Sequence, residues 1–524
     1  MKTHSLKSLL TACPGTNRLK SLLTACWLCC GGAAALSAAT ITITVEATPC
    51  QHITGFGAAA CDGAMRPFAS DTQPVKLLFG PQSKIGLNIM RMEISPNFKG
   101  DVTAEDVGWD TPYDWRGSLP SAKEAKKRGA IVFGTPWSPP GDYKTNGTAQ
   151  GGNADDQGNK RGELRTDCYE KFFPWLNTFL EYMNTYGVKV DAVSVQNEPD
   201  WWVSYSGCLY TPEQQLNLVK NYAHMLDRET YGVRLISAEP LGFDPKYSDM
   251  LLNDETARDQ IDIIAGHIYG HPPLGNMKSA ASLAATYGKE VWMTEHSSTD
   301  NIGDRLPNWH EQLLFAEELN ECMLAGCNAY IYWYMRAHWA FVGTGEEKYN
   351  PGNTKNRLLP RAYVMSHFSK HVTGSTRLKT SRDKTSGTEA ASEYSAYIKG
   401  DSLIVMAIDT TKNAVDLKIT LPYTVKSGTH LLSTGNETEN LCQESPIDIG
   451  EPTQEVAVTM PARSLNTYIF QISHNDTGIS ELTRQAAVGQ TTYYDFRGHR
   501  LKAPSGWCIE RTPDGQTSKK WYGR

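Results

Sequence analysis

Apolar and polar positions repeat along this chain with two different periods. Residues 40–46, Thr-Ile-Thr-Ile-Thr-Val-Glu, alternate with period two, as a half-buried strand does. From residue 53 the pattern changes. Short apolar runs at 53–59, 86–94, 130–138, 192–198, 234–239, 261–269, 290–295 and 329–335 read as buried parallel strands. Between them, stretches such as 168–186, 212–231 and 309–325 carry apolar residues three and four apart, which is the spacing of one helix face. Eight strands, each with room for a helix behind it, predict an α/β fold, a (β/α)8 TIM barrel over 53–372. A doubly wound open sheet is the alternative. It would carry a Gly-rich phosphate turn after its first strand, with an acidic partner further on. Gly55-Phe-Gly57-Ala-Ala-Ala60 matches that only superficially, and no acidic partner is evident.

After His371 the helical spacing stops. Residues 391–399, 402–409, 414–421, 430–434, 454–460 and 465–472 read as strands separated by turns, which predicts an antiparallel side β-sandwich over 373–473. The strand in 40–52 is expected to join it and so fuse the two domains. Ser473-His-Asn-Asp-Thr-Gly478 reads as a linker. It opens a last piece, 474–524, with Tyr493-Tyr-Asp-Phe-Arg-Gly-His-Arg-Leu501 and the basic end Lys519-Lys-Trp-Tyr-Gly-Arg524. This piece resembles the small C-terminal β tails of bacterial proteins handled by a dedicated sorting and secretion system.

Residues 1–39 read as a signal peptide. Lys2, Lys7, Arg18 and Lys20 precede an apolar run at 22–35, and small residues suited to peptidase cleavage follow. The run is too short for a comfortable membrane span. A direct repeat, 6–13 and 19–26, resembles a lipoprotein cleavage box twice over. The apolar stretch before each cysteine is very short, so plain cleavage ranks above lipidation. The expected destination is outside the cytoplasm, secreted or at the cell surface or periplasm. No other segment reads as a membrane span.

Composition narrows the partners. Net charge is −6 and pI about 6.1, so no nucleic-acid surface is expected. The 13 Trp and 24 Tyr suit stacking on sugar rings, though aromatic side chains also fill cores. Cysteines are scattered without CxxC pairs or zinc spacing outside the first thirty residues. Cys168 with Cys208 is one candidate disulfide; Cys322 and Cys327 read as buried thiols.

Two strand ends carry the candidate chemistry. The run at 192–198 stops at Asn197-Glu198-Pro199, where proline cannot continue a ladder. The run at 290–295 also ends in a carboxylate, Glu295. Two carboxylates at C-terminal strand ends of a barrel suit glycoside hydrolysis, with one acid for the leaving oxygen and one carboxylate to attack or activate water. The same rim gathers Arg91, Trp137, Trp201, His267, Tyr269, Trp333, Tyr334 and Arg336. Each alone also has a purely structural reading: Trp137 as core, Arg91 as an ion pair, Tyr269 as a packed ring.

Together these stretches resemble glycoside hydrolase family 30, nearest its bacterial subfamily 8 of glucuronoxylan endoxylanases. The resemblance rests on Gly55-Phe-Gly57, Thr135-Pro-Trp-Ser-Pro-Pro140, Val193-Ser-Val-Gln-Asn-Glu-Pro-Asp-Trp201, Trp292-Met-Thr-Glu-His296, Tyr332-Trp-Tyr334 and Arg361-Ala-Tyr-Val-Met-Ser-His-Phe-Ser-Lys370. It implies a secreted endo-β-1,4-xylanase that retains anomeric configuration by double displacement. It assigns Glu198 as acid/base with a raised pKa, and Glu295 as a nucleophile kept ionised with help from Arg91 and Tyr269. Arg91, Trp137, Asn197, Trp201, His267, Tyr269, Trp333 and Tyr334 are implied as substrate-binding or supporting residues. The implied partner is xylan, with no metal or organic cofactor, and a monomer is expected.

One departure bears on the substrate. In the glucuronate-reading members the last barrel strand runs Trp-Tyr-x-Arg-Arg-x-Tyr, and its second Arg pairs with the glucuronate carboxylate. Here Ala337 replaces that Arg, and Asp300 stands where a glucuronate-binding Ser is expected. Loss of a charge-assisted pair predicts activity that does not depend on glucuronate side groups. Another β-glycan substrate, such as β-1,6-glucan or a cellulose-like chain, and a silent glycan-binding protein on the same barrel are the alternatives.

Overall fold

A computed structural model of the protein describes residues 39–60, 71–96, 115–151, 162–270, 274–297, 307–336, 340–345, 354–383, 394–473, 492–494, 500–501, 506–511 and 517–522. Residues 1–38 of the expected signal peptide, residues 474–478 of the expected linker, and Asp300 and Ala337 lie outside the described residues.

Strand β1 (Ala39–His52) leads into a closed parallel barrel of β2 (Gly55–Ala59), β3 (Ile89–Ile94), β4 (Ile131–Pro136), β5 (Ala192–Ser194), β6 (Arg234–Ile236), β7 (Ile263–His267), β8 (Glu290–Glu295) and β9 (Ala329–Tyr332). Pairing of β9 with β2 closes the ring. Helices such as Tyr169–Thr185, Pro212–Tyr222 and Trp309–Leu324 fill the chain between strands. Phe172, Leu176, Phe179 and Leu180 of the first of these are buried. Ile89, Phe133, Ala192, Ile236, Ile263, Trp292 and Ile331 form a separate apolar cluster contributed by the strands. This is the packed interior that makes such a barrel a core and not a pore. Gly55-Phe-Gly57 lies within β2 and serves strand packing and not phosphate binding. A Cβ on Gly57 would lie 2.2 Å from the Ile89 carbonyl oxygen, so β2 and β3 approach only because it is glycine.

The observed strands are shorter than the apolar runs. The run at 192–198 is a strand only over Ala192–Ser194. Beyond it the chain keeps single bonds to its neighbours: Asn197 bridges Glu239, and the Asn197 N–H donates to the Pro136 carbonyl at 2.9 Å. Asn197 and Glu198 therefore lie three and four residues past the β5 ladder, free of its alternation.

The side domain is one sheet, in the order β1, β10 (Thr376–Arg382), β11 (Ser395–Lys399), β12 (Ser402–Asp409), β16 (Ser464–Ile472), β13 (Val415–Ser433) and β14 (Gln443–Ile447), with β15 (Thr453–Met460) on β13. β1 also pairs with β13, in parallel, which brings the sheet round on itself. The two apolar runs expected at 414–421 and 430–434 are one long strand, β13. Along β12, Leu403, Val405 and Ala407 enter the domain's own core, while Ile404, Met406 and Ile408 join the barrel's helical layer. Both faces are buried, which is why this strand reads as a continuous apolar run. His367, on the helix Pro360–Ser369, lies across this junction. Its ring nitrogens are 2.8 Å from Thr467 Oγ1 and 2.9 Å from Ser433 Oγ. The C-terminal piece forms a four-stranded sheet of β17 (Thr492–Tyr494), β18 (Arg500–Leu501), β19 (Gly506–Arg511) and β20 (Thr517–Tyr522).

Cys168 and Cys208 are both buried free thiols, so that candidate disulfide is not formed. Cys322 and Cys327 are buried free thiols as expected. Among the described residues, no helix is long and apolar enough to cross a membrane.

Candidate active site

Arg91 sits on β3 at the centre of the rim and is fully buried. One arm of its guanidinium, Nη1, donates to Glu295 Oε2. The other, Nη2, donates to Asn197 Oδ1 at 2.7 Å and to Glu239 Oε2 at 3.0 Å. Its Cζ lies 4.7 Å from the Trp137 ring centroid and 5.9 Å from that of Trp333. The planar fork thus meets carboxylates at its edge and aromatic faces above, a combination that lysine could not reproduce.

Glu295 ends β8. Tyr269 Oη donates to its Oε1 at 3.1 Å. The Tyr269 ring packs 5.0 Å from His296, whose Nδ1 is 2.7 Å from Glu318 Oε1 on the helix behind. Burial pushes the Tyr269 hydroxyl well up, and the Glu295 charge adds to it, so it stays a donor. Glu295 itself differs from expectation. Burial raises its carboxyl above the ordinary value, the His267 and Arg91 charges pull it back, and nearby Glu198 raises it again; the net direction is up. The His267 and Arg91 charges offset desolvation in part and do not reverse it.

Glu198 follows β5 with a φ of 42°, a left-handed conformation that non-glycine residues seldom adopt. Its N–H donates to the Glu239 carbonyl oxygen at 2.9 Å. Its Oε1 is 3.0 Å from His267 Nδ1 at the end of β7. Ligand atoms of Glu198, His267 and Glu295 all lie within 4.8 Å of one another. That brings the two carboxyls face to face at the mouth of the barrel. With Arg91 already on Glu295, a cation is an unsuitable occupant for this cluster.

The remaining expected residues divide. Trp137 and Trp333 pack together with ring centroids 5.7 Å apart, lining the floor, and Tyr334 packs 5.9 Å from Trp333. Trp201 is three residues past Glu198, donates its backbone N–H to the Glu198 carbonyl at 3.1 Å, and is 51 % exposed. Arg336 is buried and pairs with Asp71 Oδ2 at 3.1 Å. Sequence reasoning missed Glu239, Thr135 and Tyr205. Tyr205 is close enough for the charges of Glu198 and Glu295 to raise its hydroxyl further, after burial has done most of it. A signal for Glu239 was present: Glu239-Pro240 ends an apolar run just as Glu198-Pro199 does.

The glycosyl hydrolase family 30 TIM-barrel domain matches residues 95–301. A glucuronoxylanase XynC from Bacillus subtilis (strain 168) is 30 % identical over 406 residues, which span 75 % of this chain and 83 % of that protein. The chain belongs to glycoside hydrolase family 30. It is therefore a glycoside hydrolase. Among solved structures, the family 30 subfamily 8 xylanase Xyn30A from Clostridium acetobutylicum has a TM-score of 0.64 at 30 % identity, covering 82 % of this chain and 99 % of that one. A family 30 endoxylanase from Clostridium papyrosolvens C71 has a TM-score of 0.63 at 26 % identity, covering 83 % of this family 30 chain and all of its own.

Proposed function

We propose that this protein is a retaining endo-β-1,4-xylanase that cuts the xylan backbone by double displacement. The observation that carries the stereochemistry is the approach of Glu198 and Glu295 within 4.8 Å. Retaining enzymes hold their carboxyl groups about 5–5.5 Å apart, whereas inverting ones need roughly 6.5–9.5 Å to admit a water. Glu295, oriented by Arg91 and Tyr269, attacks the anomeric carbon. Glu198 protonates the leaving oxygen. Glu198 then draws a proton from water, which displaces the sugar from Glu295. The xylan substrate is supported by the xylanase names of the relatives above. Trp201 offers a face for a sugar unit on the leaving-group side of the acid.

The substitution at Ala337 and the acidic Asp300 support activity without strict dependence on glucuronate side groups. The basic and then apolar start of the chain supports export from the cytoplasm. The test is a product profile on glucuronoxylan, arabinoxylan, linear xylooligosaccharides and β-glucans, with Glu295→Gln as control. Neutral xylooligosaccharides from linear substrate are expected. A ladder carrying one glucuronate per product, with linear xylan untouched, would refute the independence from glucuronate. Action on β-glucans alone would refute the xylanase reading.

A further inference from the structure

Glu239 lies three residues past β6 and is fully buried. Its backbone is tied to the acid's segment twice. Its N–H donates to the Gln196 carbonyl, and its carbonyl accepts from the Glu198 N–H, both at 2.9 Å. Its side chain reaches two barrel strands and a third strand's end. Thr135 Oγ1 donates to Oε1 at 2.8 Å, Arg91 Nη2 donates to Oε2 at 3.0 Å, and His267 Nε2 lies 3.4 Å from Oε2. Arg91 continues to Glu295, and His267 continues through Nδ1 to Glu198. One buried carboxylate is therefore a single side chain removed from both members of the reacting pair.

We propose that Glu239 is a positioning residue for the glycosidase reaction, a buried anion that fixes Arg91 against Glu295 and keeps His267 doubly protonated against Glu198. The proposal rests on the reading of Glu198 as acid/base and Glu295 as nucleophile.

A ring nitrogen facing a carboxylate must carry hydrogen, because a lone pair there would meet another. Glu239 imposes that on Nε2, and Oε1 of Glu198, which accepts whether or not Oε2 carries a proton, takes the hydrogen of Nδ1, so the ring is an imidazolium. Burial disfavours the charge on His267, but Glu295, Glu198 and Glu239 together lift it to about 9. Burial likewise disfavours ionised Glu239, but the Arg91 charge and the His267 bond hold it at about 2. Two anions, Glu239 and Glu295, then balance two cations, Arg91 and His267. His267 occupies Oε1 of Glu198, which leaves Oε2 to carry the proton toward the leaving oxygen. The other titratable groups facing the pair are Tyr269 across from Glu295, and Asp200 and Tyr205 just past Glu198. Burial pushes all three toward their protonated forms.

Glu239→Gln keeps the shape and removes the charge. Its amide oxygen can take the place of Oε2 and accept from both Arg91 and His267, with the NH2 turned toward Thr135 Oγ1, so what is lost is the charge. The cluster then holds two cations against one anion and gives up a proton more readily. The expected result is kcat lower by about 100-fold with KM little changed, the cost typical of a misplaced reacting group, and an alkaline limb of the pH–rate profile moved to lower pH. Glu239→Asp, which keeps the charge, should recover part of kcat and the original limb. Turnover is normalised to folded protein by circular dichroism. A Glu239→Gln enzyme with wild-type kcat per folded molecule and an unmoved profile would overturn the proposal. So would a neutral His267 ring at pH 7 in the wild-type enzyme, read by nuclear magnetic resonance of 15N-histidine-labelled protein, which requires no variant to fold. Failure of the underlying reading looks different: wild-type protein would not be labelled at Glu295 by a 2-fluoro glycoside inactivator, whatever Glu239 does.

Discussion

The Glu198 N–H donates to the Glu239 carbonyl oxygen at 2.9 Å and holds Glu198 at a φ of 42°. A side chain at such an angle is held in place by its surroundings, because Cβ crowds the following carbonyl at a cost of roughly 1–2 kcal/mol. The strain aims the carboxyl at His267 and Glu295. Glu198→Asn should therefore abolish turnover of natural substrate while raising the unfolding free energy by about 1 kcal/mol, since asparagine tolerates this region better and carries no charge. Urea denaturation measures it. A variant less stable than the wild type would remove strain as the explanation.

The elevated Glu295 carboxyl has a pH consequence. The attacking form is the ionised one, and acid removes it. Because burial shifts its titration upward, the acid limb of kcat/KM should fall at a pH above the ordinary glutamate value. A limb at or below the ordinary value would show that the His267 and Arg91 charges outweigh desolvation.

Arg91 neutralises two buried carboxylates at once. Its replacement by Met leaves Glu239 and Glu295 to share His267 in place of two cations, a change expected to destabilise by about 3–5 kcal/mol. Arg91→Lys keeps the charge but cannot reach Glu295, Asn197 and Glu239 together while stacking on Trp137. It should retain most of the stability and lose kcat. Thermal melting and kinetics on xylooligosaccharides separate the two variants.

His367 couples the domains and should make them acid-sensitive. Burial, with His371 and His430 nearby, lowers it to about 3, so it is neutral in the fold and titrates near 6.5 when unfolded. The unfolded chain then binds the extra proton. Stability is complete above pH 6.5 and falls by roughly 1.4 kcal/mol per pH unit below it, levelling off near pH 3. Chemical denaturation at pH 7 and pH 4.5 reads the difference. His367→Gln should reduce the slope and leave the part that belongs to His371, which burial lowers to about 4, and an unchanged slope in that variant would assign the sensitivity elsewhere.

Trp201 presents half of its surface to solvent beside the acid. Trp201→Ala should raise KM for polymeric xylan by about fivefold, in line with an aromatic contact of roughly 1 kcal/mol, and leave kcat near its original value. Equal KM values would mean that the ring contacts no sugar.

Much of this was legible before any coordinates. Period two in 40–46 and the eight apolar runs determined the elements, because one-sided or two-sided burial writes itself into residue spacing. Glu198 and Glu295 were legible because each ends an apolar run with a carboxylate, where nothing in the strand needs one. Tertiary structure decided what spacing cannot express. It closed β9 onto β2, merged two runs into β13, and brought β1 beside both β10 and β13. It left Cys168 and Cys208 unjoined. It raised Glu295, because desolvation depends on neighbours from five strand ends at once. It also made Glu239 the link between Arg91 and His267. The carboxylate and its proline are local text, but its meaning arises only where residues 91, 135, 198, 239, 267 and 295 converge, and such convergence is a property of the closed barrel and not of any segment.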